Sequence, residues 1–157
     1  MEDGVKENDF EVFRETQHIV FRFIEANRDP RNFYDNPSWA VWRSLLLPVM
    51  EQAIVPYRFR RPQFPKAMLA RLRAHGVIER HVDGAGSNLR THKIHVPLIT
   101  NPKVVTTLGD REFHLEAGRA YEVNNVAPHA VRNDGDADRI HFIFEVFDAA
   151  AGETSPA

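Results

Sequence analysis

From Pro56 onward the chain is divided by Gly76, Gly84, Gly86, Pro97, Pro102, Gly109, Gly118, Pro128 and Gly135 into short segments containing Val, Ile, Phe and Tyr. Punctuation this regular constrains the region to an all-β sandwich or barrel. The candidate strands are Ala67 to Arg73, Gly76 to His81, His92 to Leu98, Val104 to Thr107, Glu112 to Leu115, Arg119 to Val123, His129 to Asn133 and Arg139 to Phe147. The first of these is ambiguous, because Lys66 to Ala74 is also good helix material.

Before Pro56 the pattern differs. Phe10, Phe13, Ile19, Val20, Phe23 and Ile24 recur at spacings near three and four, which predicts an amphipathic helix between Val5 and Asn27. Arg28 to Pro37 breaks it. A second helix is predicted from about Ser38 to Ile54, carrying Trp39, Trp42, Leu45, Leu46 and Val49, with a kink or interruption at Pro48. Both tryptophans are expected in the core. A length of 157 residues suits one domain. Within it, 1–55 is expected to be a helical layer, 56–148 a double-stranded β-helix, and 149–157 a flexible tail. The fold class is therefore mainly β with N-terminal helices, in the jelly-roll, cupin-like form. The mouth of such a barrel can hold a metal.

Composition narrows the chemistry. The 20 Lys and Arg against 22 Asp and Glu give no cationic excess, so a nucleic acid is not the expected partner. With no cysteine, disulfides and thiolate metal sites are excluded, and any metal ligands must be histidine and carboxylate. Met1 to Asn8 is acidic and polar, and the apolar stretches are too short to span a bilayer. The expectation is a soluble cytoplasmic protein with no membrane partner.

His81 and Asp83 stand two apart in H-V-D. On a strand they project to the same face, while Val82 points to the other. Gly84 and Gly86 would then turn the chain away and leave the pair at an open rim. His129 follows Pro128 at a strand start and would arrive from across the barrel. Two imidazoles and one carboxylate on a face of an octahedral metal leave positions open for a chelating cosubstrate and dioxygen, the ligand logic of non-haem Fe(II) oxygenases. Ten residues later Arg139 opens R-I-H-F-I-F-E-V-F, in which Arg139, His141, Ile143 and Glu145 share one face. A guanidinium there can hold the remote carboxylate of a dicarboxylic keto acid through two parallel hydrogen bonds. His92 and His95 face opposite sides of a strand, with His95 suited to supporting the metal ligands, contacting a cosubstrate, or packing in the core. For His18, His75, His114 and His141 structural or solvated roles are expected.

The stretches I-E-R-H-V-D-G, H-K-I-H-V-P-L-I-T-N-P, L-E-A-G-R-A-Y-E-V-N-N, P-H-A-V-R-N and D-R-I-H-F-I-F-E-V-F-D resemble the aspartyl/asparaginyl β-hydroxylase family of Fe(II) and 2-oxoglutarate dependent dioxygenases. The resemblance runs from Val77 through Phe147. It implies iron binding by His81 and His129, and a contact from Arg139 to the side-chain carboxylate of 2-oxoglutarate. It places Lys93 and His95 where an Arg and a His contact 2-oxoglutarate in the eponymous members. Those members have glycine at the position of Asp83, whereas members acting on free proline keep the carboxylate, so the triad here is complete. The implied reaction takes O2 and 2-oxoglutarate to succinate and CO2 while hydroxylating an unactivated C–H bond of an amino acid, peptide side chain or small metabolite.

Two other readings compete with this one. A cupin-like metal oxygenase or isomerase would not use 2-oxoglutarate, and Arg139 argues against it. A non-catalytic metal-binding barrel would saturate the metal shell, whereas a catalytic site keeps an open position. For the substrate, Trp39, Trp42, Tyr57, Arg58, Arg60 and Arg61 are candidates at the barrel mouth, the plainer account being packing and surface ion pairs. The partner is expected to be a small molecule or peptide, and the protein a monomer or homodimer.

Overall fold

A computed structural model describes residues 13–84 and 86–151. The strands are β1 (Thr16–Ile24), β2 (Phe33–Asp35), β3 (Pro62–Leu72), β4 (Val77–His81), β5 (His92–Ile99), β6 (Val104–Leu108), β7 (Arg111–Phe113), β8 (Tyr121–Glu122), β9 (His129–Asn133) and β10 (Arg139–Asp148), and the α-helix α1 (Pro37–Ala53) precedes β3. A six-stranded sheet has the order β2-β1-β3-β10-β5-β8, and a four-stranded sheet the order β4-β9-β6-β7. Neighbours pair antiparallel throughout, as in a jelly roll.

Alternation along β10 organises the layers. Phe142, Phe144 and Val146 join Ala67 of β3, Ile94 and Val96 of β5, and Trp39, Leu46 and Met50 of α1 in the core between the larger sheet and the helix. On the opposite face of the larger sheet, Leu72 packs with Ile78, Val104 and Val131 of the smaller sheet. The order is thus helix, six-stranded sheet, four-stranded sheet. Burial of one such large apolar side chain contributes about 1.5–3 kcal/mol.

The segment read as an amphipathic helix from Val5 to Asn27 is instead the strand β1, with residues 1–12 outside the described ones. The helical layer expected over 1–55 is correspondingly reduced to α1, because β1 and β2 belong to the larger sheet. The misreading has a physical source. β1 is covered on both faces, and its register against β3 slips between Val20 and Arg22, so its apolar residues fall in adjacent pairs that imitate a helical stripe. Its β-branched and aromatic residues nevertheless suit a strand.

The predicted second helix is α1, opened by Pro37 where a missing N–H does no harm. It continues through Pro48 without interruption. Trp39 is buried as expected, but Trp42 is exposed at 39%. The ambiguous segment after Pro62 is the strand β3, paired with β1 on one side and β10 on the other. Part of the expected tail, 152–157, lies outside the described residues, whereas Ala150 is buried and its N–H donates to Asp148 Oδ1 at 2.9 Å. Among the described residues, no helix is long and apolar enough to cross a membrane.

Candidate metal centre and anion pocket

β4 ends at His81 and β9 begins at His129, and the two residues are register partners in the smaller sheet. Their rings lie 4.2 Å apart between centroids. Asp83 follows β4, and its N–H donates to the Asn125 carbonyl at 3.0 Å. Asn88 Nδ2 donates to the Gly84 carbonyl at 2.8 Å, and Asn125 Nδ2 to Asn88 Oδ1 at 3.1 Å, so two asparagines brace the turn beyond Asp83. Glycine is required at position 86, where φ is +96° and a Cβ would stand 2.6 Å from the Asn27 carbonyl oxygen.

The three sequence-predicted ligands come together: one ligand atom from each of His81, Asp83 and His129 lies within 4.8 Å of the others. The imidazoles are set up for coordination. His81 Nδ1 lies 2.7 Å from the Glu79 carbonyl and His129 Nδ1 2.9 Å from that of Ala127. A carbonyl only accepts, so both protons sit on Nδ1 and both Nε2 atoms carry a lone pair, the arrangement found behind metal-bound histidines. His81 Nε2 is 3.4 Å from Asp83 Oδ1, yet it is buried without a hydrogen-bond partner. These residues fit a divalent ion. The adjacent Asp83 carboxylate raises His81 above its ordinary pKa against the effect of burial, while burial lowers His129. Burial opposes ionisation of Asp83 as well, but His81 and the Lys93 ammonium outweigh it and hold the carboxyl well below its usual range.

Facing this triad are residues of the larger sheet. A cavity, partly open to solvent, is lined by the triad, by Lys93 and His95 of β5, by Arg139 and Ile143 of β10, and by Phe13, Ile78, Val123 and Val131 among others. Lys93 Nζ donates to Asp83 Oδ2, so its ammonium is already engaged with a carboxylate. His95 Nε2 and Arg139 Nε are buried without partners. Arg139 is 2% exposed, and its side-chain hydrogen bond runs from Nη2 to His141 Nδ1 at 2.7 Å. Burial draws its guanidinium pKa down to about 9, which leaves it charged at neutral pH.

Other expectations change. Of the histidines assigned structural or solvated roles, His75 is exposed beside Asp136 and His114 Nδ1 meets the Val104 carbonyl, but His18 lines the cavity and His141 contacts Arg139. Strand alternation could have found His141, which shares its face with Arg139. His92 lies on the other face from His95, against Glu122 and the Tyr57 ring. None of the proposed mouth residues lines the cavity. Trp39 is in the helix-side core, Tyr57 Oη donates to Glu122 Oε2, and Arg60 and Arg61 bond the C-terminal end of β10 through Asp148.

Residues 22–149 match the family model described as aspartyl/asparaginyl beta-hydroxylase. Among solved structures, the fold is similar to an oxidoreductase of the 2OG-Fe(II) oxygenase family from Burkholderia pseudomallei, with a TM-score of 0.64, 13% identity, and coverage of 87% of this chain and 70% of that one. More distant likenesses include a cupin domain from Bordetella pertussis (TM-score 0.41, 18% identity, 54% of this chain and 90% of that one). Another is a cupin 2 conserved barrel domain protein from Salinispora arenicola (TM-score 0.41, 13% identity, 61% and 86%). Comparison with curated protein sequences finds no significant match.

Proposed function

The chain belongs to the aspartyl/asparaginyl β-hydroxylase family, and on that premise we propose that it is an Fe(II) and 2-oxoglutarate dependent dioxygenase that hydroxylates a C–H bond of an amino acid, peptide side chain or small metabolite. The observation that carries this reading is Arg139. An isolated buried charge is strongly unfavourable unless something pairs with it. Arg139 is buried at the cavity that holds the His81, Asp83 and His129 triad, and its side chain bonds a neutral imidazole instead of a carboxylate. A dicarboxylic ligand supplies the missing anion.

His81, Asp83 and His129 would hold the iron. When bound, Fe(II) supplies the redox chemistry that couples decarboxylation of 2-oxoglutarate by O2, giving succinate and CO2, to hydroxylation of the substrate. Arg139 binds the remote carboxylate and so fixes which way the keto acid enters. His95, whose Nδ1 lies 3.4 Å from His141 Nδ1, lines the cavity and is placed to contact the carboxylate at the other end. Lys93 bonds Asp83 Oδ2 and leaves Oδ1 on the side of the two imidazoles. Ile78, Val123, Val131 and Ile143 form apolar walls that exclude water.

The test is succinate formation from 2-oxoglutarate by anaerobically Fe(II)-loaded protein after exposure to air, with a panel of amino acids and peptides. Wild type is expected to form succinate above background, His81→Ala and His129→Ala to lose iron and turnover, and Arg139→Ala to need 2-oxoglutarate concentrations higher by on the order of 10- to 100-fold. Stoichiometric iron binding with neither succinate nor 2-oxoglutarate binding would overturn the reading.

A further inference from the structure

We propose that His141 is the positioning residue that turns Arg139 into a receptor for the cosubstrate's remote carboxylate, because it orients the guanidinium without neutralising it. This rests on the reading of Arg139 given above. His141 is 1% exposed and sits between Arg139 and Ile143 on the cavity-facing side of β10. Its register partners are small or compact, Ala70 on β3 and Pro97 on β5, which leaves room for an imidazole inside the sheet face.

The protonation state follows from the partner. A guanidinium cannot accept a hydrogen bond, so His141 Nδ1, 2.7 Å from Arg139 Nη2, presents a lone pair and the ring proton is on Nε2. Burial and the neighbouring Arg139 charge hold His141 far below its ordinary pKa, so the ring stays neutral at physiological pH. A neutral acceptor takes one donor of the fork and leaves the whole positive charge for a ligand.

The same strand face shows the contrasting solution. Glu145, four residues on, accepts from Lys66 Nζ at 2.8 Å, and both side chains are buried. Elsewhere Arg71 meets Asp138 and Lys93 meets Asp83. At each of these the cation is neutralised by a carboxylate and has little left to offer an anion. Arg139 differs because position 141 is histidine. Its long side chain is ordered before the ligand arrives, which reduces the entropy lost on binding.

The experiment measures 2-oxoglutarate and pyruvate binding, by anaerobic titration, to Mn(II)-loaded wild type and to His141→Leu, His141→Asn and His141→Glu, with thermal melts to establish folding. Pyruvate lacks the remote carboxylate and reports the metal end alone. His141→Leu should weaken 2-oxoglutarate on the order of tenfold and leave pyruvate unchanged. His141→Asn, whose amide oxygen still accepts, should recover most of the loss. His141→Glu should bind 2-oxoglutarate little better than pyruvate while remaining folded and binding Mn(II) normally. Unchanged 2-oxoglutarate affinity in folded His141→Leu, or retained preference over pyruvate in His141→Glu, would overturn the role of His141 alone. Wild type that does not prefer 2-oxoglutarate to pyruvate would instead remove the Arg139 reading, and this proposal with it.

Discussion

His95 and His141 are buried imidazoles whose surroundings disfavour a second proton. Burial is the largest cause for each, reinforced at His95 by Lys93 and Arg139 and at His141 by Arg139. The consequence for stability has a definite sign. Below the unfolded-state pKa near 6.5 the unfolded chain takes up protons that the folded protein refuses, so stability falls as the pH drops through that value. Each histidine contributes a slope of roughly 1 kcal/mol per pH unit over that range. Denaturant unfolding of metal-free protein at pH 7, 6 and 5 should therefore show a steeper loss for wild type than for His141→Asn, by about that amount per pH unit. Equal slopes would mean that His141 is protonated in the folded state. Residues of the site differ in how legible they were. The His81 and Asp83 spacing, His129 and Arg139 could be picked out because ligand type and strand alternation are local properties. Alternation puts His141 on the face of Arg139, but its weight depends on tertiary neighbours, with Ala70 and Pro97 as register partners and His95 packed against its ring.

Helix α1 carries Pro48 in its interior, on an exposed position, and still runs to Ala53. Proline there removes a backbone hydrogen bond and crowds the preceding turn, while its exposed side chain contributes little packing. Pro48→Ala should accordingly raise the unfolding free energy by roughly 1 to 3 kcal/mol, read as a higher denaturant midpoint at unchanged slope. An unchanged or lower midpoint would show that the helix draws no benefit from regaining that bond. The reason α1 tolerates the proline is tertiary: Trp39, Leu46 and Met50 hold it against the larger sheet. The same two-sided sheet explains the element that sequence reading misassigned. A strand covered on one face announces itself by alternation, but β1 is covered on both and slips in register at Val20 to Arg22, so periodicity alone pointed to a helix. β9, by contrast, was legible to its end residues, His129 to Asn133, because Val131 and Asn133 face one way between turn formers.

Across the whole molecule the two halves of the site come from different sheets. The candidate metal ligands belong to β4, the turn after it and β9, whereas Arg139 and His95 belong to β10 and β5. Ligands that use both halves should tie the sheets together. Mn(II) alone is expected to slow amide hydrogen exchange in β4 and β9, and 2-oxoglutarate added to it to extend protection to β5 and β10. A ligand at 100 times its Kd should add about 2.7 kcal/mol to stability. Protection confined to the smaller sheet in both states would argue that the keto acid does not reach Arg139. What the sequence determined by itself was the material of this protein: turn-punctuated strands, an oxygen and nitrogen ligand set forced by the absence of cysteine, and an arginine in register with a metal-ligand pattern. Tertiary structure decided the rest, namely the strand identity of β1, the packing of Trp39 on the helix side away from the cavity, the pairing of Lys93 with Asp83, and the neutral partner of Arg139. The physical reason is range. Side-chain periodicity and ligand chemistry are written along the chain, but burial on a second face and the choice of counter-charge depend on residues brought together from distant segments.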